Sequence, residues 1–228
     1  VSAACSGFVY GLSLGWRMVQ TGACRNVLVV GAEVLTRLVN WEDRGSCILF
    51  GDGAGAVVLQ VSEGDDPGEI LSSSLSSDGS QNEVIWIPVG GTRTLHTPES
   101  FEKGQHLIHL DGRAVFKFAV STMRGLIQSG LEENGLSVDQ LKLVVPHQVN
   151  LRIIEAACKK LELREDQVFI NIEKYGNTSA ASVPIALDEA NRSGRLASGD
   201  LVLLCAFGAG LTWGNTVLRW GAVEVNHS

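Results

Sequence analysis

The chain has 228 residues, 45% of them apolar, and its 18 basic and 25 acidic residues leave a net charge of −7 and an isoelectric point near 5.2. Such a length supports a buried core in one large domain or two small ones, and the acidic balance argues against a nucleic-acid surface. Five widely spaced cysteines, with no CxxC pair and no histidine at ligand spacing, argue against a disulfide framework or a metal site and fit a reducing, cytoplasmic compartment.

At the start, SAACSG precedes the periodic apolar residues Phe8, Leu12, Leu14 and Val19, which predict an amphipathic helix over 6–21 with Cys5 at or beside its N-terminus. Free N–H groups and the positive end of the helix dipole favour a thiolate there, and a small core thiol is the competing reading. NVLVVGA at 26–32 reads as a buried strand. After a polar connection through Trp41 and Arg44, ILFGDGAGAVVLQ reads as turn and strand. Because GDGAG leads into a strand and not a helix, its glycines read as a tight turn and not as a dinucleotide loop.

A hydrophilic stretch at 62–69 separates this region from a strand at 70–76, an irregular Gly/Pro/His-rich stretch at 78–105 and a strand at 106–110. A long helix over 112–134 follows, with Val115, Phe116, Ala119, Met123, Leu126 and Ile127 on one face. Then come strand LKLVVP, a helix at 150–162, a short strand VFINI, a helix at 180–193, strand DLVLLCA and a last strand near 213–220. The uncharged run from Leu201 to Leu218 is broken by Gly208, Gly210 and Gly214, so it reads as strand and turn and no membrane span is expected.

The chain also matches itself. SAACS at 2–6 aligns with SAASV at 179–183, Cys5 falling on Ser182, and both copies continue into an apolar strand, a Phe-Gly turn and a final strand. An internally duplicated α/β fold is expected, divided at 1–64 and 65–228. The series from about 106 to 172 has no counterpart in the first copy, so a truncated first half is expected, with a sheet edge that another chain would cover.

His147 follows an apolar strand ending at Pro146, where ligand sites of α/β sheets gather; a structural histidine is the alternative. Asn177 sits in KYGNTSAAS, where Gly176 permits a tight turn and Thr178 or Ser179 can cap the next helix, so a turn residue is the alternative. Taken together, Cys5, His147 and Asn177 supply a nucleophile, a base and an amide donor, the set that acyl transfer needs. Papain-like proteases share the residue types, but their GSCW-like context is absent.

SAACSGF, DRG at 43–45, FGDGAGAVVL, VPHQVNLRII, YGNTSAASVPIALDEA and FGAGLTWG together resemble the β-ketoacyl-acyl-carrier-protein synthase III family, thiolase-fold condensing enzymes of fatty-acid synthesis. The Cys/His/Asn set separates this pattern from synthases I and II, which carry two histidines. The resemblance implies a layered α-β-α-β-α fold, here with its first half truncated. It implies that Cys5 takes an acyl group from acyl-CoA, with acetyl-CoA the expected donor. His147 and Asn177 would stabilise the enolate formed when a malonyl-carrier thioester loses carbon dioxide, and that carbanion would attack the acyl-Cys to give a 3-oxoacyl carrier protein.

The same resemblance implies an oxyanion hole from the backbone N–H groups of Cys5 and Ala209, contact of Arg44 with the adenine end of CoA, and a hydrogen bond from Asn150 to the pantetheine arm. Neither cofactor nor metal is implied, acyl-CoA being a substrate. The implied partners are the acyl carrier protein and a second copy in a homodimer, with a missing N-terminal segment or companion chain. Arg113, Lys117 and Arg124 fall along one face of the long helix, and Arg152, Lys159 and Lys160 on a face of the next. This patch suits an acidic carrier protein, a solvated helix face being the alternative. An inactive or split fragment and a starter-unit synthase of secondary metabolism are the other readings. Cys24, Cys47, Cys158 and Cys205 read as core thiols. His96, His106, His109 and His227 form no constellation, and Trp213 and Trp220 are expected to pack the last strand.

Overall fold

The computed structural model describes residues 1–62 and 64–221; His227 lies outside them. Strands β1 (Asn26–Val34) and β2 (Asp52–Gln60) form an antiparallel hairpin, with Asn26 opposite Gln60 and Val34 opposite Asp52. A second sheet contains β3 (Glu69–Ser77), β6 (Leu143–Pro146), β7 (Leu201–Gly208) and β8 (Thr212–Arg219) in the order β3-β8-β7-β6, with β6 and β7 parallel. Helices α1 (Gly7–Gln20) and α7 (Ser182–Arg192) lie between the sheets. Helices α4 (Gly112–Glu133) and α5 (Leu151–Lys160) cover the far face of the four-stranded sheet. The described layers are therefore sheet, helix pair, sheet, helix pair.

Alternation along the strands produces this layering. On β7, Val202, Leu204 and Ala206 join Phe8, Leu12 and Val183 in the central core, while Leu203, Cys205 and Phe207 join Met123, Ile127 and Ile154 on the other side. Both faces are covered, so β7 reads as a continuous apolar run. The hairpin differs. Val27, Val29, Val57 and Leu59 pack inward, but Leu28, Val30, Val34 and Val58 are 65%, 54%, 53% and 62% exposed. The strand predicted as buried over 26–32 is thus half-buried and two residues longer.

The two helix starts correct the repeat. Ala4 (φ 45°) and Ser179 (φ 50°) each open a three-residue 3-10 turn, Ala4–Ser6 and Ser179–Ala181, which runs directly into α1 or α7. The structural equivalents are therefore Cys5 with Ala180 and Gly7 with Ser182, two residues away from the alignment of Cys5 with Ser182. Strings of Ser, Ala and Gly match in several registers, whereas the backbone conformation has one. Each turn is met by a strand from the other half. A Cβ on Gly31 would stand 2.4 Å from the Ala180 carbonyl oxygen, and one on Gly208 would stand 2.6 Å from the Cys5 nitrogen.

Other boundaries shift for tertiary reasons. Leu14 and Phe116 are 53% and 43% exposed, so neither belongs to its predicted buried face. The strand expected over 106–110 shrinks to β5 (His109–Leu110), which pairs with β4 (Ile85–Trp86) inside the stretch read as irregular; helix α3 (Pro98–Glu102) lies between them, capped by Thr97. VFINI makes a single bridge from Val168 to Val144 and then enters α6 (Ile172–Tyr175). A short helix α2 (Arg44–Cys47) occupies the polar connection. Cys158 and Cys205 are core thiols, but Cys24 and Cys47 are only half-buried. Trp213 packs edge-on against Phe118 and Trp220 against the central core, as expected.

The glycines of GDGAG lie in or just before β2, and Gly53 and Gly55 admit Ile185 and Pro184 of α7. They permit close helix packing and do not form a tight turn. Gly51 is the tightest, since a Cβ there would lie 2.0 Å from the Tyr175 carbonyl oxygen. Replacing Gly51 with Ala is expected to destabilise the fold by about 3 kcal/mol, lowering Tm by roughly 6–12 °C. Gly125→Ala, on an exposed turn of α4 with open space around it, is expected to stabilise by about 0.5–1 kcal/mol. Thermal melts of both variants check this contrast.

Candidate active site

Cys5, His147, Asn177 and Ala209 line one cavity of about 560 Å³ between the halves. Its walls are largely apolar and include Leu38, Trp86, Ile108, Phe116 and Phe207, while Asn150 and Gly45 also reach it. The sequence separation of these groups is closed by the two helix starts and by the ends of β6 and β7.

Cys5 is the middle residue of the 3-10 turn. The N–H of Ser6 donates to the Ala3 carbonyl and that of Gly7 to the Ala4 carbonyl, whereas the Cys5 N–H makes no backbone hydrogen bond to another residue among those described. Ala209 follows β7 across the cavity. A hydroxyl that sequence reasoning missed joins the two: Thr212 Oγ1 lies 2.9 Å from the Ala3 carbonyl oxygen, 3.1 Å from that of Ala209 and 2.7 Å from Ser6 Oγ. A single hydroxyl proton serves both carbonyls, so the Ser6 hydroxyl is the donor to Thr212. The clamp holds the backbone on both sides of the space between Cys5 and Ala209.

Burial pushes the Cys5 thiol up to about 11; the Ser179 hydroxyl draws it down, and the Glu33 carboxylate adds to the rise. The expectation of a resting thiolate is corrected, because desolvation of the charged form outweighs the hydrogen bonding near the helix start. Below that value the thiolate fraction grows tenfold per pH unit. Alkylation of Cys5 by iodoacetamide is therefore expected to accelerate about tenfold per unit between about pH 7 and 9; a plateau below pH 8 contradicts this environment.

His147 is 1% exposed, and burial pushes its imidazole down to about 3, so it is neutral at pH 7. Its backbone N–H donates to the Cys205 carbonyl over 2.8 Å, fixing the residue beyond the end of β6. The Phe207 ring stands edge-on to it at 5.8 Å and 77°. Nδ1 is 2.6 Å from Ser182 Oγ, and the buried Nε2 has no protein partner.

Asn177 is 5% exposed. Its Oδ1 accepts from the Ser179 N–H over 2.9 Å, which leaves the amide NH₂ as the free group. Across the halves, the Asn177 N–H donates to the Leu49 carbonyl and its own carbonyl accepts from the Gly51 N–H, at 2.7 and 3.0 Å. Gly176, at φ 66°, supplies the turn beforehand. The site thus offers a thiol with the Cys5 backbone N–H beside it and, on the same cavity, the imidazole of neutral His147 and the free amide NH₂ of Asn177. Such an arrangement can stabilise negative oxygen at two places.

Asn150 caps α5 by accepting the Arg152 N–H at its Oδ1, leaving its amide NH₂ free. Arg44 is exposed beside Gly45, with Asp43 capping the short helix that carries it. Arg113, Lys117, Arg124, Arg152, Lys159 and Lys160 are exposed on the adjoining helices α4 and α5, and among the described residues none is in an ion pair. No group of three or more metal-ligating side chains occurs among the described residues, and no described helix is long and apolar enough to cross a membrane.

Two interlocked α/β units, with a helix-start cysteine, a neutral histidine and an asparagine amide on one cavity, form a thiolase-like fold. Residues 1–79 match the family model described as 3-oxoacyl-[acyl-carrier-protein] synthase III, and residues 131–220 match that of its C-terminal part. The chain is 52% identical over 222 residues to β-ketoacyl-[acyl-carrier-protein] synthase III of Roseiflexus castenholzii, covering 97% of this chain and 67% of the relative. It superposes on the crystal structure of 3-oxoacyl-[acyl-carrier-protein] synthase III from Aquifex aeolicus with a TM-score of 0.85 and 44% identity, covering 96% of this chain and 66% of that one. The priming β-ketosynthase of the R1128 polyketide pathway gives a TM-score of 0.84 at 36% identity, covering 97% and 65%. The chain belongs to the β-ketoacyl-[acyl-carrier-protein] synthase III family, and it spans about two-thirds of the length of these relatives.

Proposed function

We propose that this protein starts fatty-acid synthesis by condensing acetyl-CoA, or another short acyl-CoA, with malonyl-acyl-carrier protein. The observation that carries the reading is that Cys5, His147, Asn177 and Ala209 line one cavity. In the first half-reaction the Cys5 sulfur attacks the thioester carbonyl. The carbonyl oxygen becomes negative against the N–H groups of Cys5 and Ala209, the C–S bond to CoA breaks, and CoA leaves as its thiol with the proton that Cys5 gives up.

In the second half-reaction the malonyl carboxylate leaves as carbon dioxide, and its electron pair makes an enolate whose oxygen accepts hydrogen bonds from His147 and Asn177. Because His147 is neutral it acts as a donor and not as a counter-charge. The enolate carbon then attacks the acyl-Cys5 carbonyl and expels the Cys5 thiolate, which takes a proton from solvent, the one proton the overall reaction consumes. CoA is consumed as a substrate in this scheme, and no cofactor or metal takes part.

Arg44 contacts the adenine end of CoA in this reading, and Asn150 donates to the pantetheine arm. Arg113, Lys117, Arg152, Lys159 and Lys160 attract the acidic carrier protein by long-range charge, an attraction that weakens as salt rises. The reading divides the chain at 1–64 and 65–228, supported by sheets that do not share strands. It also includes a further segment, N-terminal in the same polypeptide or a companion chain, over the bare face of the β1–β2 hairpin, and a homodimer in the cytoplasm. Leu28, Val30 and Val58 support the covering segment, since the corresponding outer face of β7 and β8 is buried under α4 and α5.

Intact mass after exposure to acetyl-CoA tests the proposal. One added acetyl group, located on Cys5, is expected, and folded protein that stays unmodified together with its companion segment overturns it. The likeness to a priming β-ketosynthase of polyketide synthesis favours one second reading, a starter-unit synthase. Competition between acyl-CoA chain lengths separates the two.

A further inference from the structure

Nothing in the proposed chemistry assigns a role to Ser182, yet it is 2% exposed at the first residue of α7 and holds the rear of His147. Two contacts define its state. The backbone N–H of Gln148 donates to Ser182 Oγ over 3.3 Å, and His147 Nδ1 lies 2.6 Å from the same oxygen. A hydroxyl has one proton and two lone pairs. Were Nδ1 protonated, Oγ would accept twice and its own proton would need another acceptor. None stands within hydrogen-bond distance among the described residues. The Ser182 proton therefore goes to Nδ1, and the imidazole proton goes to Nε2, the nitrogen left without a protein partner.

We infer that Ser182 is a positioning residue that locks His147 in its Nε2–H tautomer, so that a hydrogen-bond donor and not an acceptor serves the developing enolate. This rests on the proposed condensation, to which it adds the group that selects the state of His147. Without the lock both neutral tautomers become available, and the Nδ1–H form leaves a lone pair facing the negative oxygen. The neighbouring architecture favours such a lock. Gln148 is itself held rigid, its amide donating to the carbonyls of Pro146 and Phe169 over 2.9 and 3.1 Å and its Oε1 accepting from the Asn171 N–H over 3.0 Å. Phe207 limits rotation of the ring from the other side. Ser182, Phe207 and the Gln148 backbone, which flank the imidazole, do not titrate near neutral pH, and the Cys5 thiol on the same cavity stays protonated there.

The test has two readouts. Nitrogen-15 spectra of the labelled protein, with His147 identified by comparison with His147→Ala, are expected to show Nε2 protonated and Nδ1 unprotonated from about pH 5 to 8. A protonated Nδ1 in the unmodified protein overturns the inference whatever its activity. Ser182→Ala is expected to mix the tautomers and to slow carbon dioxide release from malonyl-carrier protein by about 10²-fold in kcat, with KM within about threefold and Cys5 acetylation unchanged. A merely structural serine would leave the tautomer intact or slow both half-reactions together, and either result overturns the proposal. Failure of the condensation reading is distinguishable, because the unmodified protein would then form no 3-oxoacyl carrier protein even with Nε2 of His147 protonated.

Discussion

Replacing Cys5 with Ser is expected to abolish acyl transfer, by about 10⁴-fold or more, while the protein remains folded and still decarboxylates malonyl thioester. The hydroxyl is nearly the same size and occupies the same turn, so the backbone bonds of Ala3, Ala4 and Ser6 persist. What is lost is nucleophilicity. The thiol already stands at about 11 through burial, and an alcohol in the same pocket is a far weaker acid with no base to relieve it. His147 does not fill that role in the inferred tautomer, in which Nδ1 accepts from Ser182, 2.6 Å away, and Nε2 carries the proton. Carbon dioxide release, assigned in the proposed mechanism to His147 and Asn177, is expected to stay within a few-fold of normal. Acetyl-CoA mass labelling and a carbon dioxide assay on the same sample measure the two effects.

The opposite dissociation is expected for Asn177→Asp. One carboxylate oxygen still accepts from the Ser179 N–H, and the bonds to Leu49 and Gly51 are made by backbone, so the loop keeps its shape. The second oxygen replaces the NH₂ group. A donor that met the enolate becomes a negative acceptor beside it, and the loss exceeds that of a missing hydrogen bond. Removing one such donor costs about 10²–10³-fold; with repulsion added, decarboxylation is expected to fall by about 10³-fold or more while Cys5 acetylation continues. Loss of both half-reactions, or of neither, contradicts the division of labour between the two donor sets.

The parts of this site that were legible in the sequence share a property: they punctuate elements. Cys5 before a helix, His147 after a strand and Asn177 behind Gly176 stand where periodic patterns stop, and they sit in strings long enough to carry a family resemblance. Contacts made across the whole chain were silent. Thr212 reaches Ala3 and Ser6 from more than 200 positions away, and no local pattern announces it. The ionisation of Cys5 is not legible in sequence, because a helix start is visible there whereas burial is a property of the assembled halves. Ser182 drew notice through an alignment two residues out of register, and its contact with His147 rests on a different geometry. Likewise the glycines of GDGAG look like a turn until α7 is seen packed against them.

The central claim is that one cavity both accepts an acyl group on Cys5 and forms the enolate that attacks it. Mass spectrometry of the carrier protein after mixing the enzyme with acetyl-CoA and malonyl-carrier protein tests this most directly. The account predicts a carrier bearing a 3-oxobutanoyl group, formed together with one CoA and one carbon dioxide. A carrier that remains malonylated, or loses carbon dioxide without gaining the acetyl unit while Cys5 is acetylated, contradicts it.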